Sequence, residues 1–408
     1  MLKERIGGRL SGEGRSSGTP RARSQYSYFS YQSDIIPDFN IFTSWTEADS
    51  WLKLNKIQTD TLRYRGRSVS DWGDDVRNGF YIYGESPAYA FLLARDLDSQ
   101  FNMDQPYRDP KDVRRSLRQL IGWDNDPSWE LAKPYVEEEQ TVVRAEYSGC
   151  DVTTAKLKNS TDGLITTIAS FIKCNRAENK GLAVYLEGHG GFALDIGAET
   201  INYLANLGWD VLVLDMPMSG DNYVPGQDPL YHYSYAFEDI GGLHPIAQFM
   251  LPIKLAVDWG LNKRVTATNH VISIGRSGGG WASALYSNLD ERIEYSVAIS
   301  GIVPQSIRLR RDPYESGDYE QLAPAVFSYL PYEHLMLAAG SKGAFYIYNQ
   351  NDSCCFHVAP DDEFIGYIGS SAQIYKRRVG FYIDPEYTEH SASVSALEAM
   401  MVFLESPS

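Results

Sequence analysis

The chain has 408 residues, 43% of them hydrophobic, and a formal net charge of −16. That length and apolar content suit a globular protein with a large core. The acidic balance speaks against nucleic acid as a partner, because phosphate contacts need clustered Lys and Arg.

Four cysteines, Cys150, Cys174, Cys354 and Cys355, are too few for a disulfide framework at this length. Cys354, Cys355 and His357 lack a second ligand pair at zinc spacing, so neither a metal nor another cofactor is expected. No apolar run reaches the length of a membrane span, so no membrane partner is expected. The amino-terminal stretch lacks the apolar core of a secretory signal, which makes the cytoplasm the default compartment.

Residues 1–24 carry six basic and two acidic residues without apolar periodicity and read as a disordered tail, with an Arg- and Ser-rich transit peptide as the alternative. Residues 25–140 read as a helical extension. "SPAYAFLLARDL" suggests one helix. "DPKDVRRSLRQLIGW" suggests another, with Val113, Leu117, Leu120 and Ile121 on one face, Asp109-Pro110 as its start and Gly122 as its stop.

From residue 141 to 408 the pattern changes. "TVVRAEY" and "LITTIASFIKC" predict strands, the second following the turn signal Asp162-Gly163. Strands and helices then alternate: "GLAVYLEG", "AETINYLANLG", "DVLVLDMP", "PIAQFMLPIKLAVDWGL" with a kink at Pro252, "HVISIG", "GGWASALYSNL", "YSVAISGI", "AFYIYNQN", "RVGFYID" and "SASVSALEAMMVFLE". That alternation predicts an α/β domain with a mostly parallel central sheet and helices on both faces. Ligands in such sheets bind at the carboxyl ends of the strands.

Gly275-Arg276-Ser277-Gly278-Gly279 fits G-x-S-x-G between a predicted strand and a predicted helix. A serine nucleophile on so sharp a turn needs small neighbours, and the helix amino end favours developing negative charge. The motif predicts a serine followed in chain order by an acid and a histidine. Asp352 directly follows the strand "AFYIYNQN", with Asp361, Asp362 and Asp384 as rivals. His390 follows the strand "RVGFYID"; His334 lies in the apolar stretch "EHLMLAA", and His357 stays a candidate. An oxyanion would take one N–H from Gly278 and a second from His189 or Gly190 in "EGHGGF".

Four stretches resemble the α/β-hydrolase fold, and within it the acetyl xylan esterase-like and dienelactone hydrolase-like serine esterases: "EGHGGF", "GRSGGGWASALYSNLDERIEYSVAISG", "YLPYEHLMLAAGSKGAFYIYNQND" and "EYTEHSASVSALEAMMVFLE". The resemblance covers residues 110–405. It implies Ser277 as nucleophile, Asp352 as acid, His390 as base, His189 and Gly278 as oxyanion donors, no cofactor, and a small-molecule or carbohydrate ester as substrate. Glu187 departs from the pattern, standing where the group usually has a histidine.

Two long loops, 218–244 and 302–335, are predicted to lie over the site as lids. Tyr223, Tyr319, Glu187 and Arg276 are the substrate-binding candidates. Homo-oligomerisation is left open. Two further readings compete with the esterase: a prolyl oligopeptidase-type serine peptidase, which needs a substrate gate that residues 25–140 do not spell out, and a non-catalytic binding module on the same fold.

Overall fold

A computed structural model describes residues 63–64, 67–68, 108–124, 133–160, 166–176, 179–189, 191–217, 219–222, 245–263, 270–304, 319–322, 324–327, 330–354, 356–360 and 362–406. Apart from an antiparallel pair, β1 (Arg63–Tyr64) and β2 (Arg67–Ser68), the described strands form one nine-stranded sheet. Its strands are β3 (Pro134–Val142), β4 (Cys150–Asn159), β5 (Thr166–Cys174), β6 (Gly181–Leu186), β7 (Trp209–Leu214), β8 (Val271–Arg276), β9 (Tyr295–Ile299), β10 (Gly343–Asn349) and β11 (Arg378–Asp384). Their spatial order is β11-β10-β9-β8-β6-β7-β5-β4-β3. β3 pairs antiparallel with β4, β4 with β5 and β5 with β7, whereas β7, β6, β8, β9, β10 and β11 run parallel.

The central strands are buried along their whole length, including "GLAVYL" and "WDVLVL", as a sheet covered on both faces requires. Two apolar clusters sit on the two faces. One joins α1 (Pro110–Leu120) through Val113 and Leu117 with α4 (Pro245–Lys263), α5 (Gly278–Leu289), α8 (Tyr332–Ala338) and α9 (Glu363–Ile374). The other joins α3 (Ala198–Asn206) and α10 (Val394–Glu405) to the opposite face. Short helices α2 (Ala193–Ile196), α6 (Tyr319–Leu322) and α7 (Pro324–Phe327) complete the described set. α5 is buried on every side, which its apolar, small-residue sequence permits.

α1 starts and stops where its sequence directs. The Asp109 carboxylate accepts from Lys111 N at the amino end, and Gly122 beyond the carboxyl end takes φ +71°. α4 continues through Pro252. The amino-terminal side of the sheet differs from expectation. The strand placed at 141–147 lies at 134–142 and is followed by a 3-10 turn at Ala145–Tyr147. β3 therefore begins inside the segment read as a helical extension. It is a largely solvated edge strand with three consecutive glutamates, so apolar alternation does not mark it.

β4, not expected at all, alternates buried positions with Thr and Lys. A disulfide, Cys150–Cys174, closes the β4–β5 hairpin at a directly paired position. Cys354 is disulfide-bonded as well, which removes its thiolate from metal binding. The expected helix "SPAYAFLLARDL", the turn at Asp162-Gly163 and most of the 218–244 loop lie outside the described residues.

Candidate functional site

From β6 the chain moves to one neighbour, β7, and later to the other, β8, so the direction of strand addition reverses at β6. The crevice at the carboxyl ends of β6 and β8 is the switch point where open sheets of this kind bind ligands. Ser277 sits at the end of β8, directly before α5, with φ 55° and ψ −129°. A non-glycine residue held there is strained, and the surrounding backbone over-determines it. Ser277 N donates to Ile299 O at 2.9 Å, and its carbonyl takes the Gly280 N–H at 2.8 Å.

Two glycines make the turn possible by contact. A Cβ on Gly275 would lie 2.1 Å from Gly279 O, and one on Gly279 would lie 2.0 Å from Leu186 O. The strand, the turn and the end of β6 thus meet backbone to backbone. Gly278 and Gly279, in the first turn of α5, carry N–H groups that no carbonyl of their own helix can accept.

Asp352 lies just beyond β10 and is 2% exposed. His390 Nδ1 donates to Asp352 Oδ1 at 2.9 Å and faces Oδ2 at 3.0 Å. Burial alone would raise the Asp352 carboxyl. The hydrogen bond and charge of His390, with the Cys354 N–H at 2.8 Å, outweigh it and hold the carboxyl below its ordinary value. With Nδ1 engaged, the free lone pair of a neutral imidazole is on Nε2. His390 Nε2 is buried and has no hydrogen-bond partner among the described residues. The Phe356 ring lies nearly parallel to the imidazole, 6.2 Å between centroids.

The rivals are engaged elsewhere. Asp384 accepts from Ser393 Oγ and from the amides of Glu386 and Tyr387, and Asp362 accepts from Ala359 N. His334 is partly buried in α8, where desolvation first and Arg108 second push its imidazole down to about 4. His357 is exposed, and Asp361 lies outside the described residues.

His189 follows β6. Its ring lies over Gly278, 2.6 Å from where a Cβ of that glycine would be, and its Nε2 is 2.8 Å from Glu320 Oε1. Glu320, in α6, is fully buried, so this short helix of the 302–335 segment reaches the end of β6. Glu187 and Arg276 meet one another: the guanidinium Nη2 is 2.7 Å and Nε 2.9 Å from Glu187 Oε1, with side-chain exposures of 0% for Glu187 and 18% for Arg276. Contact with substrate was the expectation for both; the structure engages them with each other. Gly190 and Tyr223 lie outside the described residues, and of Tyr319 only the backbone, in α6, is described.

Sequence reasoning missed three residues here. Asp215, at the end of β7, accepts the amides of Ala193 at 2.5 Å and Asp221 at 2.6 Å, and so holds the segment after His189. Its signal was a charge closing an apolar strand. Asn349 ends β10 wholly buried, a polar residue breaking an aromatic strand. Glu320 had no signal short of the fold itself. Among the described residues no cluster of three or more His, Cys, Asp or Glu is arranged to hold a metal ion, and no helix is long and apolar enough to cross a membrane.

No protein-family model matches the chain. No curated protein matches it either. Among solved structures it is similar to a protein from Bacteroides fragilis described as an acetyl xylan esterase, at 10% identity and a TM-score of 0.56, over 77% of this chain and 94% of that one. It is also similar to methylesterase BT1017, at 15% identity and a TM-score of 0.55, over 77% of this chain; it spans 64% of that protein's length. At such identities the likeness speaks for the fold: the chain has the α/β-hydrolase fold.

Proposed function

We propose that this chain is a serine hydrolase that cleaves carboxylic esters through an acyl-enzyme. The observation that carries the reading is Ser277 at φ 55° on the β8–α5 turn, with a hydrogen-bonded Asp352–His390 pair on the loops after β10 and β11.

The chemistry follows from those groups. His390 Nε2 takes the proton of Ser277 Oγ as the oxygen attacks the ester carbonyl. That contact closes in the substrate complex, as catalytic hydrogen bonds commonly do. Asp352 fixes the tautomer and stabilises the imidazolium. The tetrahedral oxyanion forms at the amino end of α5, where the Gly278 N–H meets it, with a second donor from the backbone at His189. The intermediate collapses as His390 returns the proton to the departing alcohol. Water, deprotonated by His390, then releases the acid and restores Ser277.

The substrate class rests on the neighbours. One is described as an acetyl xylan esterase and another is a methylesterase. A small-molecule or carbohydrate ester is accordingly proposed here. Ser277→Ala should abolish hydrolysis of p-nitrophenyl acetate while the circular dichroism spectrum stays that of the wild type. A panel from acetyl to octanoyl esters, acetylated sugars, methyl esters and aryl esters then defines the acyl and alcohol parts. Undiminished turnover in Ser277→Ala would overturn the assignment.

A further inference from the structure

The loop that carries His390 is held by three consecutive backbone carbonyls, and the triad accounts for neither of their holders. Asn349 Nδ2 donates to Glu389 O at 2.6 Å and to Ser391 O at 2.8 Å. Between them, Arg276 Nη1 donates to His390 O at 3.3 Å. The rest of the Arg276 fork lies on Glu187 Oε1, which also accepts Gly188 N at 2.9 Å. Glu187 Oε2 accepts the Tyr185 hydroxyl at 2.9 Å.

We infer that Arg276, backed by Glu187, is a positioning residue that ties the histidine loop to the oxyanion end of β6. The inference rests on the reading of His390 as the base. Strand parity explains how the sequence builds it. Ile272 and Ile274 share a face of β8 with Arg276, and Ala183 and Tyr185 share a face of β6 with Glu187. Those apolar residues pack in one cluster with Ala392 and Ala396, at the base of α10. β6 and β8 are adjacent and in register at Leu186 and Gly275, so the next residue of each, Glu187 and Arg276, projects side by side beneath the histidine loop.

The chemistry explains why the residue is Arg. One edge of a guanidinium satisfies the buried carboxylate while another N–H reaches a carbonyl on a different element. A lysine ammonium, a single point of charge, holds Glu187 but loses the second anchor. Stability alone is a poor account of the pair, because a buried ion pair is often replaceable by apolar residues of like volume. What apolar residues cannot reproduce is the bond to His390 O. In this account the variable position of G-x-S-x-G connects the element that carries the nucleophile, the strand end that supplies an oxyanion donor and the loop that presents the base.

Two variants test it. Glu187→Gln with Arg276→Met removes both charges and the carbonyl bond without leaving a charge buried alone. Arg276→Lys keeps the charge and loses the fork. Each is followed by the downfield proton resonance of His390 Nδ1–H, assigned by its loss in His390→Gln, and by kcat and KM on p-nitrophenyl acetate. The double variant should melt close to the wild type, lose or broaden the resonance, and lower kcat roughly 10- to 100-fold with KM unchanged, the size expected of a small misplacement of a reacting group. Arg276→Lys should fall between the two, and it carries the test if the double variant does not fold. A wild-type resonance with wild-type kcat overturns the proposal, and so does a raised KM with unchanged kcat, which marks a substrate contact. If the wild type hydrolyses no ester yet the variants still lose the resonance, the esterase reading fails and the clamp stands.

Discussion

Gly279 offers a sharp test of how tightly the site is built. A Cβ at this position would lie 2.0 Å from Leu186 O, 2.5 Å from Leu186 C and 2.8 Å from Glu187 C. All three are backbone atoms, so no side chain can swing aside. Cβ atoms essentially never approach closer than 3.0 Å, so α5 and the end of β6 must part by about 1 Å in Gly279→Ala. That separation moves the Gly278 N–H and Ser277 away from His189 together, and a misplacement of about 1 Å costs roughly 10²-fold in rate. The assay is kcat on p-nitrophenyl acetate beside a thermal melt. Gly366 supplies the control: it is exposed on α9, and a Cβ there meets nothing within 4 Å. Gly366→Ala should leave kcat unchanged and raise stability by up to about 1 kcal/mol, because alanine costs a helix less than glycine. Wild-type kcat in folded Gly279→Ala would refute the claim that the β6–α5 approach sets the oxyanion geometry.

Further predictions concern charge and covalent structure. Asp352→Asn should leave the His390 ring in place with the wrong tautomer and lower kcat by roughly 10⁴-fold; a loss below about tenfold would remove Asp352 from the mechanism. Asp215 is pushed up to about 6 by burial, against the pull of the Asp221 and Ala193 amides. Its ordinary value is about 3.9, so the folded state holds this proton more tightly than the unfolded chain. The contribution to stability is full below about pH 4 and is lost as the pH rises through about 6. The stability advantage of the wild type over Asp215→Asn, from urea melts, should therefore shrink by about 2–3 kcal/mol between about pH 4 and 7; an advantage constant across that window contradicts it. The Cys150–Cys174 bond closes a loop of sequence separation 24 on strands remote from Ser277 in the sheet order. Replacing both cysteines with serine should cost ~3 kcal/mol of stability without changing kcat, and a changed kcat would show coupling between hairpin and site.

The legible parts of this chain were those with one strong local signal. Buried parallel strands such as "GLAVYL" and "WDVLVL" announce themselves as apolar runs, and the order of strands and helices around them gave the fold class. The serine turn was legible because its glycines answer to contacts with backbone, and the Asp352–His390 pair because chain order and strand ends restrict the choice. β3 was obscured because an edge strand needs little burial and tolerates three glutamates, and β4 because Thr and Lys stand between its buried positions. α9 was obscured by Gly366, Gly369 and its serines, which weaken helix propensity while tertiary packing of Phe364 and Ile368 holds it. Glu320 and the link from Arg276 to His390 O join segments far apart in the chain, and no local pattern encodes such a meeting.

The most direct measurement is covalent. The wild type and Ser277→Ala are each treated with a fluorophosphonate probe, and the adduct is counted by intact mass and mapped by peptide sequencing. The account predicts one adduct per chain, on Ser277, absent from Ser277→Ala. A wild type that takes no label under conditions where it is folded, or an adduct that persists in Ser277→Ala, would contradict it.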